Sequence, residues 1–452
     1  MSLYGNCYRN LLWPTYELCR GRQMWRLCRQ AQQRQWWPAR RLAEFQFAEL
    51  RRLLDHAYAN CPWYASQWQK NRLTPDKIHS IDDFSRFPSI SKDDIRQHRH
   101  DMRATGNVSS IYEHRTGGST GVPLRFFINR ASYEWRQAVS QRGYSWAGCL
   151  DGERQFYLWG QPIGTPPLIQ RLKTKLHNTF LRRHLVSCFC LNEALLADCA
   201  RQINTFRPIT IIGYTNALHT LARYILDRRL SLHRPGAIIT AAEGVNSLQR
   251  AAMEQAFGAP VFASYGSREF MLIAMECEHH HGLHISADNL LVEVVRPDGS
   301  PCAEGETGEI LVTDLHNYGM PFIRYKIGDL GVPTARACPC GRGLPLLERV
   351  EGRILDIIRA ADGRAVPGEF FPHLIKEFPS VRQFQVIQKQ LDRLHLKLVL
   401  EPGQHDDQLR RLQQEVQHVL GHSVRLDIEA VPEIPQTASG KFRVTVSELP
   451  PA

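Results

Sequence analysis

The chain has 452 residues, of which 43% are hydrophobic and 22% charged, so it is long enough for two or three domains and has the composition of a globular protein. No apolar run reaches the roughly 18 residues that a membrane-spanning helix needs, and the N-terminus carries no continuous apolar signal segment. The twelve cysteines are mostly scattered singly, as is typical of reduced thiols, and we therefore predict a cytoplasmic location.

The net charge of +11 is concentrated near the N-terminus, where residues 1–55 hold ten arginines and four acidic residues. The same segment contains Trp13, Trp25, Trp36 and Trp37. Arginine interleaved with tryptophan fits a membrane surface, here weak peripheral attachment to the inner membrane, or nucleic acid. The alternative is a helical cap whose tryptophans pack on the main domain, and the amphipathic spacing of residues 50–57 favours it. We expect no nucleic-acid partner.

From about residue 205 the chain alternates short apolar runs with amphipathic stretches. Segments 209–212, 237–240 and 260–263 are predicted to be buried parallel strands, and segments 216–229 and 247–257 to be helices. Segments 290–295 and 309–313, separated by a Pro-Asp-Gly turn, predict a hairpin. The fold class is therefore α/β, with parallel sheets and helices in a large N-terminal domain.

A smaller domain is predicted after Gly352. Three short apolar segments and a helix at 406–420 indicate an α+β arrangement. The predicted organisation is a helical N-terminal part of the large domain at 1–110, its core at 111–351, and a small mobile C-terminal domain at 352–452.

Two loops rich in glycine and hydroxyl groups lie far apart in the sequence, at 115–123 (RTGGSTGVP) and 435–443 (PQTASGKFR). Glycines let backbone N–H groups approach an anion, and Ser119 and Thr120 add hydroxyl donors. The first loop is not a Walker loop, because no Gly-Lys-Ser/Thr follows at the required spacing. Either loop alone is also compatible with an ordinary surface turn.

Three further motifs lie between these loops: 265–269 (YGSRE), 324–330 (RYKIGDL) and 352–356 (GRILD). In this order the five segments resemble the motifs of the adenylate-forming ligase superfamily. Segments 212–214, 240–243, 282–285 and 338–342 are similar to its phenylacetate–CoA ligase and CapK-like capsule-synthesis branch. The resemblance extends from about residue 40 to residue 443.

The resemblance implies a role for each matching residue. Tyr265 would pack on adenine, Asp329 would bind the ribose hydroxyls, and Glu269 would help to hold magnesium. Lys441 would be the catalytic lysine, together with Glu269. The full set implied for ATP is Thr116, Gly117, Gly118, Ser119, Thr120, Gly121, Ala242, Glu243, Tyr265, Gly266, Ser267, Asp329 and Arg353.

The resemblance also places a hinge at Leu355 and Asp356, and an acyl pocket at Tyr214 and Thr215. Two positions depart from the pattern. Leu124 stands where many relatives have lysine, which puts one phosphate contact in doubt. Leu355 stands where many have a polar residue, which puts the domain rotation in doubt.

A metal site is predicted from cysteine and histidine. Cys277 precedes four histidines, at positions 279, 280, 281 and 284, and a Cys-x-Cys pair, Cys338 and Cys340, follows about sixty residues on. Zinc takes thiolate and imidazole ligands in a closed tetrahedral structural site. His284 is the preferred histidine because it lies in the segment that resembles the family's Gly-Leu-His. Unliganded loop residues are the alternative, since Cys-x-Cys is closer than the usual spacing.

The implied activity is ATP-dependent adenylation of a carboxylic acid to an acyl-AMP with release of pyrophosphate, followed by transfer to a thiol. ATP, magnesium and a structural zinc are the expected cofactors, and CoA or a carrier-protein pantetheine is the expected thiol. A saccharide acceptor in a CapK-like capsule or exopolysaccharide role stays open, as does a catalytically silent membrane-associated scaffold. The acid and the oligomeric state do not follow from the sequence.

Overall fold

The computed structural model describes residues 2–22, 24–106, 108, 110–116, 124–160, 168–189, 191–351, 358–360, 365–366, 370–375, 377–378, 380–403, 405–421, 424–434 and 444–449. The helices within these ranges are α1 Leu3–Cys7, α2 Trp13–Cys19, α3 Met24–Arg34, α4 Ala39–Asn60, α5 Pro62–Lys70, α6 Ile81–Phe84, α7 Lys92–His98, α8 Arg130–Trp146, α9 Leu168–Phe180, α10 Glu193–Phe206, α11 Thr215–Asp227, α12 Ser247–Phe257, α13 Phe370–Ile375 and α14 Asp406–Leu420. A π-helical turn at Tyr8–Leu12 joins α1 to α2.

The strands within the same ranges are β1 Ile111–Arg115, β2 Arg125–Asn129, β3 Gln155–Trp159, β4 Arg183–Ser187, β5 Thr210–Tyr214, β6 Ala237–Ala241, β7 Val261–Ser267, β8 Met271–Glu276, β9 Leu283–Ile285, β10 Leu290–Val295, β11 Gly308–Asp314, β12 Tyr325–Thr334, β13 Leu346–Glu351, β14 Ile358–Arg359, β15 Ala365–Val366, β16 Val381–Gln390, β17 Arg393–Leu400, β18 Arg425–Ala430 and β19 Thr445–Ser447. The chain divides into two compact units. Unit 1 comprises 1–114, 124–151 and 262–352, and unit 2 comprises 115–123, 152–261 and 353–452.

The sheet of unit 1 is antiparallel. Its strands follow the order β10-β11-β12-β13-β9-β8-β7, and each pairs antiparallel with its neighbour. The predicted hairpin is confirmed as β10 and β11. The segment predicted as a buried parallel strand at 260–263 is the start of β7; the antiparallel pairing of β7 with β8 begins only at Ser264, so the direction predicted for 260–263 stays a prediction. Periodicity shows that a run is buried but does not show in which direction its partner runs.

Buried ion pairs attach α8 to unit 1. Arg136 Nη2 lies 2.6 Å from Asp314 Oδ2, which also accepts a 2.8 Å hydrogen bond from Ser132 Oγ. Arg142 Nη1 lies 2.8 Å from each oxygen of Asp288. All four charged side chains are buried, and each has a partner of opposite charge. Neither pair therefore leaves an uncompensated charge in the interior.

Unit 2 contains the predicted parallel strands. Strands β4-β3-β5-β6 are all parallel, and the connecting helix α11 has apolar residues at helical spacing that are buried: Ala217, Leu218, Leu221, Ala222 and Ile225. A mixed sheet, β18-β17-β16-β19, and α14 form the α+β part that the sequence predicts near the C-terminus. The α/β fold class is thus confirmed, while the predicted domain boundaries at 110 and 351 stay predictions.

Candidate functional site

Two of the predicted ATP-binding motifs meet in unit 1. The hydroxyl of Tyr265, in the 265–269 motif, donates a 3.0 Å hydrogen bond to Asp329 Oδ2 in the 324–330 motif. The hydroxyl of Tyr325, in the second motif, donates a 3.1 Å hydrogen bond to Glu269 Oε1 in the first. Each motif therefore supplies one tyrosine to the other motif's carboxylate. We call these four residues the tyrosine–carboxylate cluster.

The local chain path explains why the 265–269 motif has its glycine. A Cβ built on Gly266 would lie 2.1 Å from the carbonyl oxygen of Met271, so a side chain there would collide with the backbone of the neighbouring strand. The register between β7 and β8 shifts between Tyr265 and Gly266. Ser267 Oγ accepts a 3.3 Å hydrogen bond from the Phe270 N–H, which helps to close the turn. The close approach lets the hairpin turn tightly after Tyr265.

The two carboxylates of the cluster differ in exposure. Glu269 is buried, 6% exposed, and its partner Tyr325 is fully buried beside the rings of Phe270 and Phe322. Asp329 and Tyr265 are half-buried. A carboxylate accepts hydrogen bonds and binds hard cations, so both acidic residues have the chemistry that was predicted for them, toward a cation or toward ligand hydroxyls.

In unit 2, Glu243 caps the N-terminus of α11. Its two carboxylate oxygens accept 2.8 Å hydrogen bonds from the backbone N–H and the side-chain Nδ2 of Asn216. Burial raises the pKa of Glu243, and the bonds from Asn216 act against that rise. Ala242 precedes it with a φ of 69°, a left-handed conformation that is unfavourable for a residue with a Cβ. These contacts give Glu243 a structural role, and its predicted contact with ATP stays a prediction.

The predicted acyl-pocket residues are buried in unit 2. Tyr214 packs edge-on against Trp159, with ring centroids 4.8 Å apart. The Thr215 hydroxyl donates a 2.8 Å hydrogen bond to the carbonyl of Glu243. A Cβ on Gly160 would come within 2.8 Å of the Tyr214 hydroxyl, so the chain passes very close to this ring. The pocket itself stays a prediction.

Several predicted residues lie outside the described ranges. These are the phosphate-loop residues Gly117, Gly118, Ser119, Thr120 and Gly121, the residues Arg353, Leu355 and Asp356 near the predicted hinge, and the catalytic Lys441. Thr116, at the start of the phosphate loop, is described and is buried. Leu124, which departs from the family pattern at the end of that loop, is also buried.

The four predicted metal ligands come together in unit 1. The ligand atoms of Cys277, His284, Cys338 and Cys340 all lie within 4.8 Å of one another. Cys277 follows β8, His284 lies on β9, and the two other cysteines lie in the loop between β12 and β13. Since β9 pairs with both β8 and β13, the sheet register brings these segments together. We call this set the thiol–imidazole cluster.

The neutral ring of His284 suits metal binding, whereas the buried thiol of Cys277 would have to lose its proton when a metal binds. Burial lowers the pKa of His284 to about 4, so the ring is neutral at neutral pH. Its Nδ1 lies 3.3 Å from the Leu344 carbonyl, which can only accept, so Nδ1 carries the hydrogen and Nε2 faces Cys340 Sγ at 3.3 Å. Burial raises the pKa of the Cys277 thiol to about 12. Burial acts in the same direction at Cys340, but hydrogen bonds from Arg342 and its charge outweigh it, and the pKa of that thiol is lowered.

Arg342, two residues after Cys340, ties the thiol–imidazole cluster to the N-terminal helices. Its guanidinium makes two 2.9 Å bonds to Glu278 and one 3.0 Å bond to Gln35, which follows α3. It also lies over the rings of Trp36 and Trp146, about 5 Å from each centroid. Sequence reasoning missed this role, although the arginine lies within the 338–342 motif.

The tryptophans of the N-terminal segment pack mainly against arginines. Trp37 lies between Arg34 and Arg41, and Trp25 lies against Arg26 and Arg29. Trp25 and Trp37 are half-buried, but Trp36 is 53% exposed. The helical cap therefore accounts for part of this segment, and its attachment to a membrane stays a prediction. Among the described helices, none combines the length and apolar character that crossing a bilayer requires.

Comparison with known proteins identifies the relatives. Residues 358–448 match the family model of the CapK C-terminal domain. The chain is 26% identical to Protein CapK of Staphylococcus aureus over 416 residues, 90% of each chain. It is also 26% identical to the phenylacetate-coenzyme A ligase of Thermus thermophilus over 377 residues, 81% of this chain and 83% of that one.

Among solved structures, 2-hydroxyisobutyryl-CoA ligase in complex with 2-HIB-AMP and CoA superposes with a TM-score of 0.63 at 21% identity, covering 92% of each chain. The same ligase in an open conformation gives a TM-score of 0.59. The chain therefore has the fold of the adenylate-forming ligases. Its resemblance to the phenylacetate–CoA ligase and CapK branch of that superfamily, expected from short motifs, is confirmed over most of its length.

Proposed function

We propose that this protein uses ATP to convert a carboxylic acid into an acyl-AMP and then transfers the acyl group to a thiol. The tyrosine–carboxylate cluster is the observation that carries the proposal. It joins two motifs that are about sixty residues apart in the sequence, and the motif resemblance assigns both of them to ATP. The likeness to phenylacetate–CoA ligases over most of the chain gives independent support.

In the proposed mechanism each carboxylate of the cluster has one task. Asp329, oriented by Tyr265, accepts hydrogen bonds from the ribose hydroxyls, while Tyr265 presents its ring to adenine. Glu269, held by Tyr325, would help to hold magnesium. Bound magnesium would supply positive charge to the triphosphate.

The remaining roles come from the resemblance. The phosphate loop, Thr116 to Gly121, would surround the phosphates, with Ala242, Glu243, Gly266, Ser267 and Arg353 completing the nucleotide site. A carboxylate oxygen of the acid attacks the α-phosphorus, and the bond to pyrophosphate breaks. Lys441 would lie between the two anions, where a compact ammonium with three donors stabilises the charge that develops.

In the second half-reaction the small domain would rotate about Leu355 and Asp356. A thiol then attacks the acyl carbonyl, the thioester forms, and AMP leaves. CoA is the favoured thiol because the solved relative 2-hydroxyisobutyryl-CoA ligase is described with both 2-HIB-AMP and CoA. A carrier-protein pantetheine offers the same chemistry. Tyr214 and Thr215 are proposed to border the acyl group.

A second candidate is a CapK-like role in capsule or exopolysaccharide synthesis. In one version the acceptor is a saccharide; in the other the protein is a catalytically silent scaffold. The match of residues 358–448 to the CapK C-terminal domain favours this alternative. Both versions are compatible with a cytoplasmic protein. The first version differs from the proposed ligase in its acceptor, and the scaffold differs in having no turnover.

We also propose that the thiol–imidazole cluster holds one structural zinc. Two observations support it: four ligand atoms within 4.8 Å of one another, and a His284 ring oriented by the Leu344 carbonyl with Nε2 facing Cys340. Three thiolates and one imidazole form a closed shell, so the metal would hold β8, β9 and the 338–342 loop together without taking part in the reaction.

Acid-dependent exchange of labelled pyrophosphate into ATP tests the adenylation step. The purified protein is assayed with magnesium and with aliphatic, aryl and amino acids, one at a time. Exchange with at least one acid, and none without acid, is the expected result. ATP binding without exchange across the whole panel would favour the scaffold. Among acids that support exchange, adding CoA should yield a thioester, whereas a saccharide acceptor would leave CoA unchanged.

A further inference from the structure

Helix α9, Leu168–Phe180, has no buried residue along its thirteen positions. Its sequence, LIQRLKTKLHNTF, nevertheless contains five large apolar side chains. They recur at helical spacing on one face and are 78%, 70%, 58%, 62% and 40% exposed: Leu168, Ile169, Leu172, Leu176 and Phe180. We call this surface the α9 apolar face. An exposed apolar stripe along three helical turns indicates a contact with something outside the chain.

The orientation of α9 is consistent with an outward apolar face. The helix lies against β4, and its least exposed residue is Asn178, which is half-buried. At about 100° per residue, Asn178 falls on the side of the helix opposite to Leu172 and Leu176. The one half-buried residue of α9 therefore lies on its polar side, and the apolar side points away from it.

The charges on α9 indicate what covers this face. Arg171, Lys173 and Lys175 are basic, and the helix contains no acidic residue. On the helical projection, Lys173 and Lys175 border the α9 apolar face on its two opposite edges. Lysines in that position can extend their ammonium groups to lipid phosphates while their methylene chains follow the apolar surface.

A second copy of the chain is a poor fit to the same surface. Pairing two α9 helices would bring their basic residues together, with no carboxylate on either helix to neutralise them. An anionic bilayer meets both requirements, since it offers an apolar layer and a negative surface that attracts basic residues near it.

We propose that α9 is a membrane-surface helix that docks the protein on anionic lipid bilayers. The helix lies in the plane of the interface, with the α9 apolar face among the acyl chains and Lys173 and Lys175 at the phosphate level. This inference does not depend on the proposed activity, and it assigns peripheral attachment to α9 rather than to the arginine- and tryptophan-rich N-terminal segment.

Co-sedimentation of the full-length protein with vesicles tests the proposal. Vesicles of phosphatidylcholine with phosphatidylglycerol are compared with vesicles of phosphatidylcholine alone, at low and at high salt. We expect binding to the anionic vesicles, weakened by salt. The L172E/L176E variant should bind at least about tenfold more weakly, because two apolar contacts are replaced by charges that the surface repels. L248E/L391E is the matched control, since it adds the same two charges at leucines of unit 2 that are 81% and 48% exposed.

A charge variant separates the lysines from the apolar face. K173E/K175E should lose about tenfold or more in affinity for anionic vesicles, whereas K70E/K389E, with the same change in net charge, should lose much less. The proposal is overturned if the wild-type protein does not bind anionic vesicles. It is also overturned if each control variant loses as much affinity for these vesicles as the α9 variant that it is compared with. It is also overturned if L11E/L18E abolishes binding while L172E/L176E keeps it.

The mass of the protein in solution, measured without lipid, tests whether a second copy of the chain covers the α9 apolar face instead. We expect the wild type and L172E/L176E to have the same mass. A wild-type dimer that L172E/L176E dissociates would assign the α9 apolar face to a second copy and contradict the proposal.

Discussion

The tyrosine–carboxylate cluster and the thiol–imidazole cluster are both built on the antiparallel sheet of unit 1, but they differ in exposure. In the first, Asp329 and Tyr265 are half-buried, so part of each side chain is accessible to a ligand. In the second, four ligand atoms face one another and three of the four residues are buried. A site that binds and releases a substrate needs the first arrangement, whereas a structural metal needs the second. Changes in the first cluster should therefore affect turnover, and changes in the second should affect stability.

The largest expected effect is on turnover. Lys441→Ala should lower acid-dependent pyrophosphate exchange by about 10²–10³-fold, because a charge that stabilises the transition state is lost from a preorganised site. Thermal stability and ATP affinity should remain close to those of the wild type. Lys389→Ala, an exposed lysine elsewhere in the C-terminal region, is the control. Near-normal exchange in the Lys441 variant would show that this lysine is not the catalytic one.

The thiol–imidazole cluster should give the opposite pattern. Cys338→Ser should lose the bound zinc and lower the melting temperature by several degrees, because three segments of unit 1 lose their common ligand. The rate per folded molecule should change much less. Metal analysis of protein purified without chelators is the measurement, and the wild type should contain one zinc per chain. Cys199→Ser, also at a buried cysteine, should keep its zinc; a wild type without zinc contradicts the assignment.

A smaller effect should distinguish the two halves of the tyrosine–carboxylate cluster. Tyr325→Phe removes the donor to buried Glu269, a bond of about 1 kcal/mol, so more magnesium should be needed for half-maximal exchange. Tyr265→Phe should instead raise the KM for ATP. Tyr64→Phe removes another buried hydroxyl of unit 1, whose 2.7 Å bond is to the Pro321 carbonyl, and should alter neither quantity. An unchanged magnesium response in Tyr325→Phe would remove the role assigned to that pair.

Glu243 is a third carboxylate, bonded to Asn216 at the N-terminus of α11. Replacing it should have the smallest effect of these variants, and that effect should be on the pH dependence of stability. Burial raises its pKa, so the folded state holds the proton more tightly than the unfolded chain does. Its contribution to stability is therefore present at low pH and is lost as the pH rises from the unfolded pKa, about 4.3, through the folded one. Glu243→Gln should flatten this part of the pH dependence in denaturant titrations, whereas exposed Glu193→Gln should not. An unchanged slope would contradict the burial argument.

The contrast between the clusters also shows what a sequence can predict. The thiol–imidazole cluster was predicted from residue type and spacing, and the resemblance to the family's Gly-Leu-His segment selected His284 among the four histidines. The motifs of the tyrosine–carboxylate cluster were found by resemblance. The bond from Tyr325 to Glu269 was not predicted, because it depends on where β12 lies beside the turn after β7, and the sequence does not contain that register.

Packing accounts for other differences between expectation and structure. The run at 260–263 is predicted as a strand because it is apolar, but nothing in it indicates that the continuation of the same strand, from Ser264, pairs antiparallel with β8. Arg342 was not predicted because a charged residue after two cysteines looks like an exposed loop residue. Its bond to Gln35 and its position over Trp36 appear only when the N-terminal helices are in place.

The central claim is that the acid is activated as an acyl-AMP, and an isotope transfer tests it most directly. An acid that supports exchange is supplied with ¹⁸O in both carboxylate oxygens, together with ATP, magnesium and a thiol, and the AMP is analysed by mass spectrometry. If the carboxylate attacks the α-phosphorus, one ¹⁸O remains on each AMP when the thiol displaces it. Unlabelled AMP, or label in inorganic phosphate with ADP as the nucleotide product, would contradict the account.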